Sequence, residues 1–268
     1  MSSDEVVKAR VTHGTRRAET SAVRLCFRRM VGFDARTALI LLIVFGAVRM
    51  ALVLQANVTG SYQVVSLVFI AMALLPWVVL TRDGRRRIGI VRPGRGRWLL
   101  PAALAGIVCC LATAALVTLL WGNSAANPFV YIAGSYAVPG ALSDTDRLIY
   151  FAIFAGIGML FSPIGEELLY RGIAHEALAS GLGGRRAAVL EAAAFAIVHL
   201  AHFGIVYSAG AWAFLPLPAA VWVGAMFLSA LVFHSFRVLT GSILGAIAAH
   251  AGFNLAMNFV IFYGLGRF

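Results

Sequence analysis

Two adjacent carboxylates and an arginine lie inside a strongly apolar stretch of this sequence. Glu166 and Glu167 are followed by Arg171, and long aliphatic runs flank the segment on both sides. Glu167 and Arg171 are four residues apart, the spacing that places a carboxylate and a guanidinium on one helix face. Glu166 points about 100° away around the same helix. It is therefore expected to lack a local partner and to be available as a base or a ligand.

Two histidines and an asparagine could complete a hydrolytic site with these carboxylates. Hydrolysis of a peptide bond needs a base for water, a donor for the oxyanion and an acid for the leaving amine. His250 and Asn254 are four residues apart and share a helix face. His199 lies in a separate apolar run, on one face with Phe195 and His202. These residues are the candidates for one buried site.

The composition indicates a polytopic membrane protein. Hydrophobic residues make up 61% of the 268 residues and charged residues only 12%, whereas about a quarter of a soluble domain is charged. The net charge of +11 is concentrated in an N-terminal tail and one loop. This pattern orients a membrane protein, so no nucleic-acid partner is expected.

Successive apolar runs have close to the roughly 20 residues that cross a bilayer. They predict an all-α, polytopic transmembrane helical bundle of seven to eight spans. We place the spans at 37–55, 62–80, 98–120, 147–180, 187–206, 217–236 and 241–263.

The basic segments predict the orientation of the bundle. Residues 1–36 form a basic tail without a clear cleavage site, and residues 81–97 are rich in arginine. The positive-inside rule places both in the cytosol. The domains are then a cytosolic tail, 1–36, and a transmembrane domain, 37–268, with a catalytic core at about 145–260. Lys8 is the only lysine among 22 basic residues, a bias that favours a bacterial plasma membrane.

The fourth span is too long to be one straight helix across a bilayer. Residues 147–180 would extend about 50 Å, against a hydrocarbon core of about 30 Å. We therefore predict a break at Ser162-Pro163, with a new helix that starts at residue 163. Glu166 and Glu167 would then lie in its first turns, where the helix dipole favours anions.

The same helical rise places three ionisable groups at similar depths. Measured from the cytosolic ends of their spans, Glu166 lies at about 22 Å, His199 at about 18 Å and His250 at about 14 Å. Ionisable groups inside membrane proteins face bundle interiors or water-filled cavities. We expect these three to meet in a pocket that faces the cell interior.

Three sequence segments resemble a known family. Residues 166–172, 195–200 and 240–254 are similar to the EExxxR, FxxxH and HxxxN signatures of the CPBP family, the CAAX-protease and bacteriocin-processing (Abi) intramembrane endopeptidases. The resemblance covers roughly residues 145–260 and implies a CAAX-protease-like core. It implies that Glu166 and His199 activate water, that His250 and Asn254 stabilise the oxyanion, and that Glu167 and Arg171 hold the geometry.

Two mechanisms stay open at this point. The preferred one is glutamate-dependent and requires no cofactor, because Asn254 is a poor zinc ligand and a good oxyanion donor. In the alternative, Glu166, His199 and His250 bind Zn²⁺, with an open position for water.

The favoured function is intramembrane endopeptidase or metalloprotease activity on a membrane-associated peptide or protein, lipidated or not. Membrane lipid is the other expected partner. The alternative is a non-catalytic binding or immunity protein of the same fold. A transporter is disfavoured because the sequence has no internal repeat.

Further polar residues have expected structural roles. Arg49 is predicted to extend its side chain toward the outer surface rather than to pair with Glu166. His202 is expected to pack outside the site. His175, His234 and Arg237 are expected at the membrane interface.

Overall fold

The computed structural model describes residues 22–27, 32–136 and 138–266. Most of the predicted tail, 1–36, therefore lies outside the described residues. The structure is a bundle of α-helices with one small hairpin. The helices are α1 (Ala35–Thr59), α2 (Gln63–Val79), α3 (Arg82–Arg87), α4 (Leu99–Trp121), α5 (Pro128–Gly134), α6 (Asp144–Glu167), α7 (His175–Leu182), α8 (Gly184–Val198), α9 (Pro216–Thr240) and α10 (Ile243–Phe259).

Shorter elements connect or extend these helices. The antiparallel hairpin joins β1 (Ile205–Ser208) to β2 (Ala211–Phe214). Two 3₁₀ segments, Gly96–Trp98 and His199–Ala201, and two π-helical segments, Leu168–Ala174 and Val260–Gly264, complete the described elements.

Among the described residues, five stretches are long and apolar enough to cross a membrane, and α2 is a shorter apolar helix of 17 residues. Large aliphatic side chains on these helices point outward, as a lipid environment requires: Leu119 is 84% exposed and Ile43 is 67% exposed. The all-α, polytopic membrane fold is confirmed. The five stretches are Ala35–Thr59, Gly96–Trp121, Asp144–Leu182, Pro216–Thr240 and Ile243–Gly264.

The predicted helix break at Ser162-Pro163 is wrong. Helix α6 begins at Asp144, capped by the side chain of Ser143, and continues through Pro163 to Glu167. Membrane helices tolerate proline because neighbouring groups satisfy the freed backbone. Asn254 Nδ2 donates to the carbonyl of Gly158, five residues before Pro163, and so joins α10 to this part of α6.

The irregularity lies a few residues later. The π-helical segment Leu168–Ala174 widens the helix directly after the two glutamates and leads into α7, so that one 39-residue stretch extends to Leu182. Glu166 and Glu167 lie at the end of α6, not in the first turn of a helix. The N-terminal dipole therefore does not compensate their charges, and other groups must do so.

The predicted fifth span, 187–206, is shorter than expected. Helix α8 has 15 residues and ends at Val198, and the 3₁₀ turn His199–Ala201 leads into the hairpin. Gly204 has a φ of +114°, which L-residues rarely adopt, and a Cβ there would lie 2.7 Å from the Cβ of Ala219. The chain turns at this glycine, so His199 lies at the C-terminal end of α8.

The chain direction defines two ends of the bundle. The arginine-rich end carries residues 81–97 and the start of α10, where the amide of Ile243 donates to the Gly89 carbonyl over 2.9 Å. Residues 22–27 also lie there, since the amide of Thr81 donates to the Ala22 carbonyl. The opposite end carries Tyr62, α5 and the start of α6. The bundle therefore has an arginine-rich end and an opposite end that carries Tyr62.

Glycines allow α4 and α10 to approach closely. A Cβ on Gly106 would lie 1.7 Å from the carbonyl oxygen of Ala249, and a Cβ on Gly252 would lie 2.1 Å from that of Ala103. Small residues at membrane helix interfaces permit such backbone contact. Because α10 also carries His250 and Asn254, this packing positions the site.

Gly252→Ala is therefore expected to destabilise the bundle by about 1–3 kcal/mol, the usual cost of overpacking. Gly224→Ala is the matched control, since Gly224 also lies on a helix and a Cβ there would meet no atom within 4 Å. Unfolding by SDS from mixed micelles measures both. Equal stability of the two variants would contradict close packing of α4 on α10.

Candidate active site

Glu167 and Arg171 form the predicted pair inside a larger buried network. Arg171 Nη1 lies 3.1 Å from Glu167 Oε1, and Arg171 Nε lies 3.2 Å from Glu191 Oε2. The three side chains are fully buried. Phe195 covers the guanidinium, whose central carbon lies 4.3 Å from the ring centroid. Sequence reasoning missed Glu191, although an acid inside an apolar run is itself a signal.

Glu166 pairs with Arg49, a residue that was predicted to extend toward the outer surface. Arg49 Nη1 lies 2.9 Å from Glu166 Oε1, and both side chains are at most 2% exposed. The expectation that Arg49 reaches the outer surface is wrong. It lies ten residues before the end of α1, about 15 Å along the axis, and a buried carboxylate faces it directly. Pairing removes the cost of leaving two isolated charges at membrane depth.

The same guanidinium also contacts two histidines. Arg49 Nη2 lies 3.3 Å from His199 Nε2 and 3.2 Å from His202 Nε2. An arginine can only donate, so both Nε2 atoms are acceptors. His199 Nδ1 lies 2.7 Å from the carbonyl oxygen of Phe195 and must carry the proton. Both ring nitrogens of His199 are thus engaged, and its ring is the neutral Nδ1–H tautomer.

His250 is placed between the two glutamates. Its Nδ1 donates to Glu167 Oε1 over 2.8 Å, and its Nε2 lies 3.8 Å from Glu166 Oε2. The ring stacks on Phe233, with centroids 5.0 Å apart. Glu167 therefore fixes the ring so that its Nε2 faces the second oxygen of Glu166.

Asn254 lies one turn further along α10. Its Nδ2 donates to the Gly158 carbonyl over 2.8 Å and makes a longer contact of 3.3 Å to Ser162 Oγ. Asn258 Nδ2 donates to the backbone carbonyl of Asn254, and Tyr136 donates from its hydroxyl to Asn258. The amide of Asn254 is therefore held by α6 within the bundle.

One cavity of about 290 Å³ brings the four predicted catalytic residues together. Glu166, His199, His250 and Asn254 all line it, whereas Glu167 and Arg171 lie behind its wall. Arg49 and His202 line it as well, although neither was expected there. Its other lining side chains are mainly aromatic or aliphatic, among them Phe69, Phe154, Trp222, Phe233, Phe253 and Met257.

The alternative zinc ligands do not fit a metal ion in this arrangement. Glu166 Oε2 and His250 Nε2 are 3.8 Å apart, close enough to share one ion. His199 Nε2, however, faces the Arg49 guanidinium, which also holds Glu166 Oε1. A cation bound by all three ligands would have to displace this fixed positive charge.

The cavity extends toward the end of the bundle that carries Tyr62. On α6 the lining residues run from Glu166 back to Phe154, and on α10 they run from His250 forward to Asn258. Tyr62, Ser135 and Tyr136 line its far part. The cavity therefore leads away from the arginine-rich end, contrary to the expectation of a pocket toward the basic segments, and Glu167, Arg171 and Glu191 pack on that side.

The family comparison covers this core. Residues 148–256 match the model of the type II CAAX prenyl endopeptidase Rce1-like family. This core belongs to the CPBP family. The resemblance based on three motifs is thereby confirmed. No curated protein and no solved structure matched the chain.

The matched CPBP core contains all six predicted site residues, but not Arg49. That arginine comes from α1, about a hundred residues before the match begins. The described site is thus completed by an element outside the matched segment. A lone arginine in the middle of an apolar span was the available signal for it.

A double-mutant cycle tests the Arg49–Glu166 pair. Arg49→Met and Glu166→Gln each leave one buried charge without its partner, so each is expected to cost about 3–5 kcal/mol of unfolding free energy. The double variant is expected to lose less than their sum, as measured by SDS-driven unfolding. Arg147→Met and Asp144→Asn form the control cycle: this pair has an exposed carboxylate and a half-buried guanidinium, and it should show a coupling of at most about 1 kcal/mol. Additive losses in the first cycle would refute the pair.

Cysteine labelling tests the direction of the cavity. Ser135→Cys, in a chain whose Cys26, Cys109 and Cys110 are replaced, should react with a membrane-impermeant maleimide from one membrane face only. Gly94→Cys, at the exposed arginine-rich end, should react from the other. Labelling of both from the same face would contradict the assignment of opposite ends.

Proposed function

We propose that this chain is an intramembrane endopeptidase that hydrolyses a peptide bond in a membrane-associated peptide or protein. One observation carries the proposal: inside a CPBP core, Glu166 Oε2 and His250 Nε2 lie 3.8 Å apart, and both residues line the same cavity. Two acceptors at this separation can hold one water molecule within hydrogen-bonding distance of both.

Glu166 is the proposed base. Its Oε1 is paired with Arg49, which leaves Oε2 for the water proton. The oxygen of the water then attacks the carbonyl carbon of the scissile bond, and Glu166 passes the proton to the leaving amine. His250 orients the water through Nε2, while Glu167 holds the opposite ring nitrogen.

Asn254 is the proposed oxyanion donor. One hydrogen of its amide group is used by the Gly158 carbonyl, and the other makes only the longer contact to Ser162 Oγ. This second hydrogen can turn to a carbonyl oxygen in the cavity. His199 acts indirectly in this scheme, since its ring accepts from Arg49 and supports the guanidinium that holds Glu166.

The mechanism needs no metal ion in the cavity. The fixed cation at the site is Arg49, which balances the Glu166 carboxylate before it takes up the water proton and again once the proton has passed to the leaving amine. The metalloprotease alternative, with Glu166, His199 and His250 as zinc ligands, would require this side chain to move away.

The cavity walls indicate the class of substrate. Phe69, Phe154, Trp222, Phe253 and Met257 surround the polar residues, so an apolar peptide segment or an attached lipid can be buried against them. The far part of the cavity lies at the end opposite the arginine-rich segment. With the basic segment in the cytosol, the substrate would enter from the other membrane face or laterally from lipid.

Glu166→Gln should abolish cleavage, with a loss of at least about 10²–10⁴-fold, because it removes the base. Asn254→Ala should lose about 10²–10³-fold, as for other oxyanion donors. Glu176→Gln, a glutamate outside the cavity, is the control and should cleave normally.

Membrane proteomes of cells with each variant, searched for an accumulating uncleaved precursor, identify the substrate. Purified enzyme in liposomes then gives the rate. A phenotype that Glu166→Gln fully preserves would instead favour the non-catalytic binding or immunity protein.

A further inference from the structure

Two histidines and a glutamate from three different helices lie close together outside the cavity, toward the arginine-rich end. These are side-chain types that bind metal ions. His175 comes from the start of α7, Glu191 from the middle of α8 and His234 from α9. One ligand atom from each lies within 4.8 Å of the others. The proposed protease mechanism does not use any of these residues.

The distances are close to those of a coordination sphere. His234 Nδ1 lies 3.1 Å and His175 Nδ1 lies 3.9 Å from Glu191 Oε1. Ligand atoms about 2.1 Å from a tetrahedral zinc ion lie about 3.4 Å from each other. Small rotations of the two rings would thus bring all three atoms into the sphere of one ion.

His175 gives an independent indication of a ligand. The residue is only 6% exposed, and its Nδ1 has no hydrogen-bond partner among the described residues. Buried polar atoms are usually satisfied. A bound ion would supply the missing partner for this nitrogen.

The neighbouring arginines do not occupy the ligand atoms. Arg171 contacts the other carboxylate oxygen, Glu191 Oε2. Arg237 Nη2 is 2.6 Å from Glu176 Oε1, so its charge is paired as well. Among the described residues, the ion pairs of Glu191 Oε1 are those with the two imidazoles, so this oxygen remains available to a cation.

We propose that His175 Nδ1, Glu191 Oε1 and His234 Nδ1 bind one divalent transition-metal ion of the zinc class, with a fourth position for water. Imidazole and carboxylate are ligands that suit such ions. The ion would join α7, α8 and α9. Through Glu191, Arg171 and Glu167 it would also support the ring of His250, so its role is structural rather than catalytic.

The test is binding of Co²⁺ to the full-length protein, purified in detergent through a tag without histidine and treated with a chelator. Wild type and Glu166→Gln should each bind one equivalent, with the visible absorption of a tetrahedral site. His175→Gln and His234→Gln should bind more than about 100-fold more weakly, since changes outside the coordination sphere alone cost about 10–100-fold. His234→Cys should restore binding with a sulfur-to-metal charge-transfer band.

The control for general damage is the melting temperature of each variant without metal. Zn²⁺ should raise the melting temperature of wild type and Glu166→Gln, but not that of His175→Gln or His234→Gln. Absence of binding by wild type would overturn the proposal. So would binding that is lost in Glu166→Gln and kept in His234→Gln, which would place the ion in the cavity.

Discussion

The compensation of buried charge is the constraint on which this structure depends. Three glutamates and two arginines are almost fully buried in an apolar bundle, where an unpaired ion would cost several kcal/mol. Each arginine contacts at least one carboxylate: Arg49 pairs with Glu166, and Arg171 bridges Glu167 and Glu191. The hydrogen bond from His250 Nδ1 to Glu167 Oε1 adds to this compensation.

This constraint explains why the two adjacent glutamates have different environments. Glu167 points into the closed network, where Arg171 and His250 use the same oxygen atom. Glu166 points into the cavity, where only one of its oxygens is paired. One carboxylate therefore stabilises the arrangement and the other remains reactive. Two acidic groups with unlike surroundings are a common basis for a division of roles in hydrolases.

The charge network also determines the shape of the cavity. Glu167, Arg171 and Glu191 pack on the side of the arginine-rich end, and the cavity extends from the site toward the opposite end. The same network links the site to the cluster of His175, Glu191 and His234. The core of the bundle thus contains an open, aromatic half and a closed, ionic half, with His250 between them.

Much of this molecule follows from local features of the sequence. Length and hydropathy predicted an all-α membrane bundle, because crossing a bilayer requires helices of about 20 apolar residues. The four-residue spacing predicted the Glu167–Arg171 pair, since that interaction lies within one helix. Three short motifs also predicted the family and four residues that line one cavity.

Only the tertiary structure decided the interactions between distant segments. The partner of Glu166 is Arg49, more than a hundred residues away, and spacing along the chain carries no information about such a pair. Helix α6 continues through Pro163, where the local sequence pattern predicted a break. The direction of the cavity depends on where the buried ions pack. The ion pair and the direction of the cavity arise from contacts between helices, whereas sequence periodicity reports only the faces of a single helix.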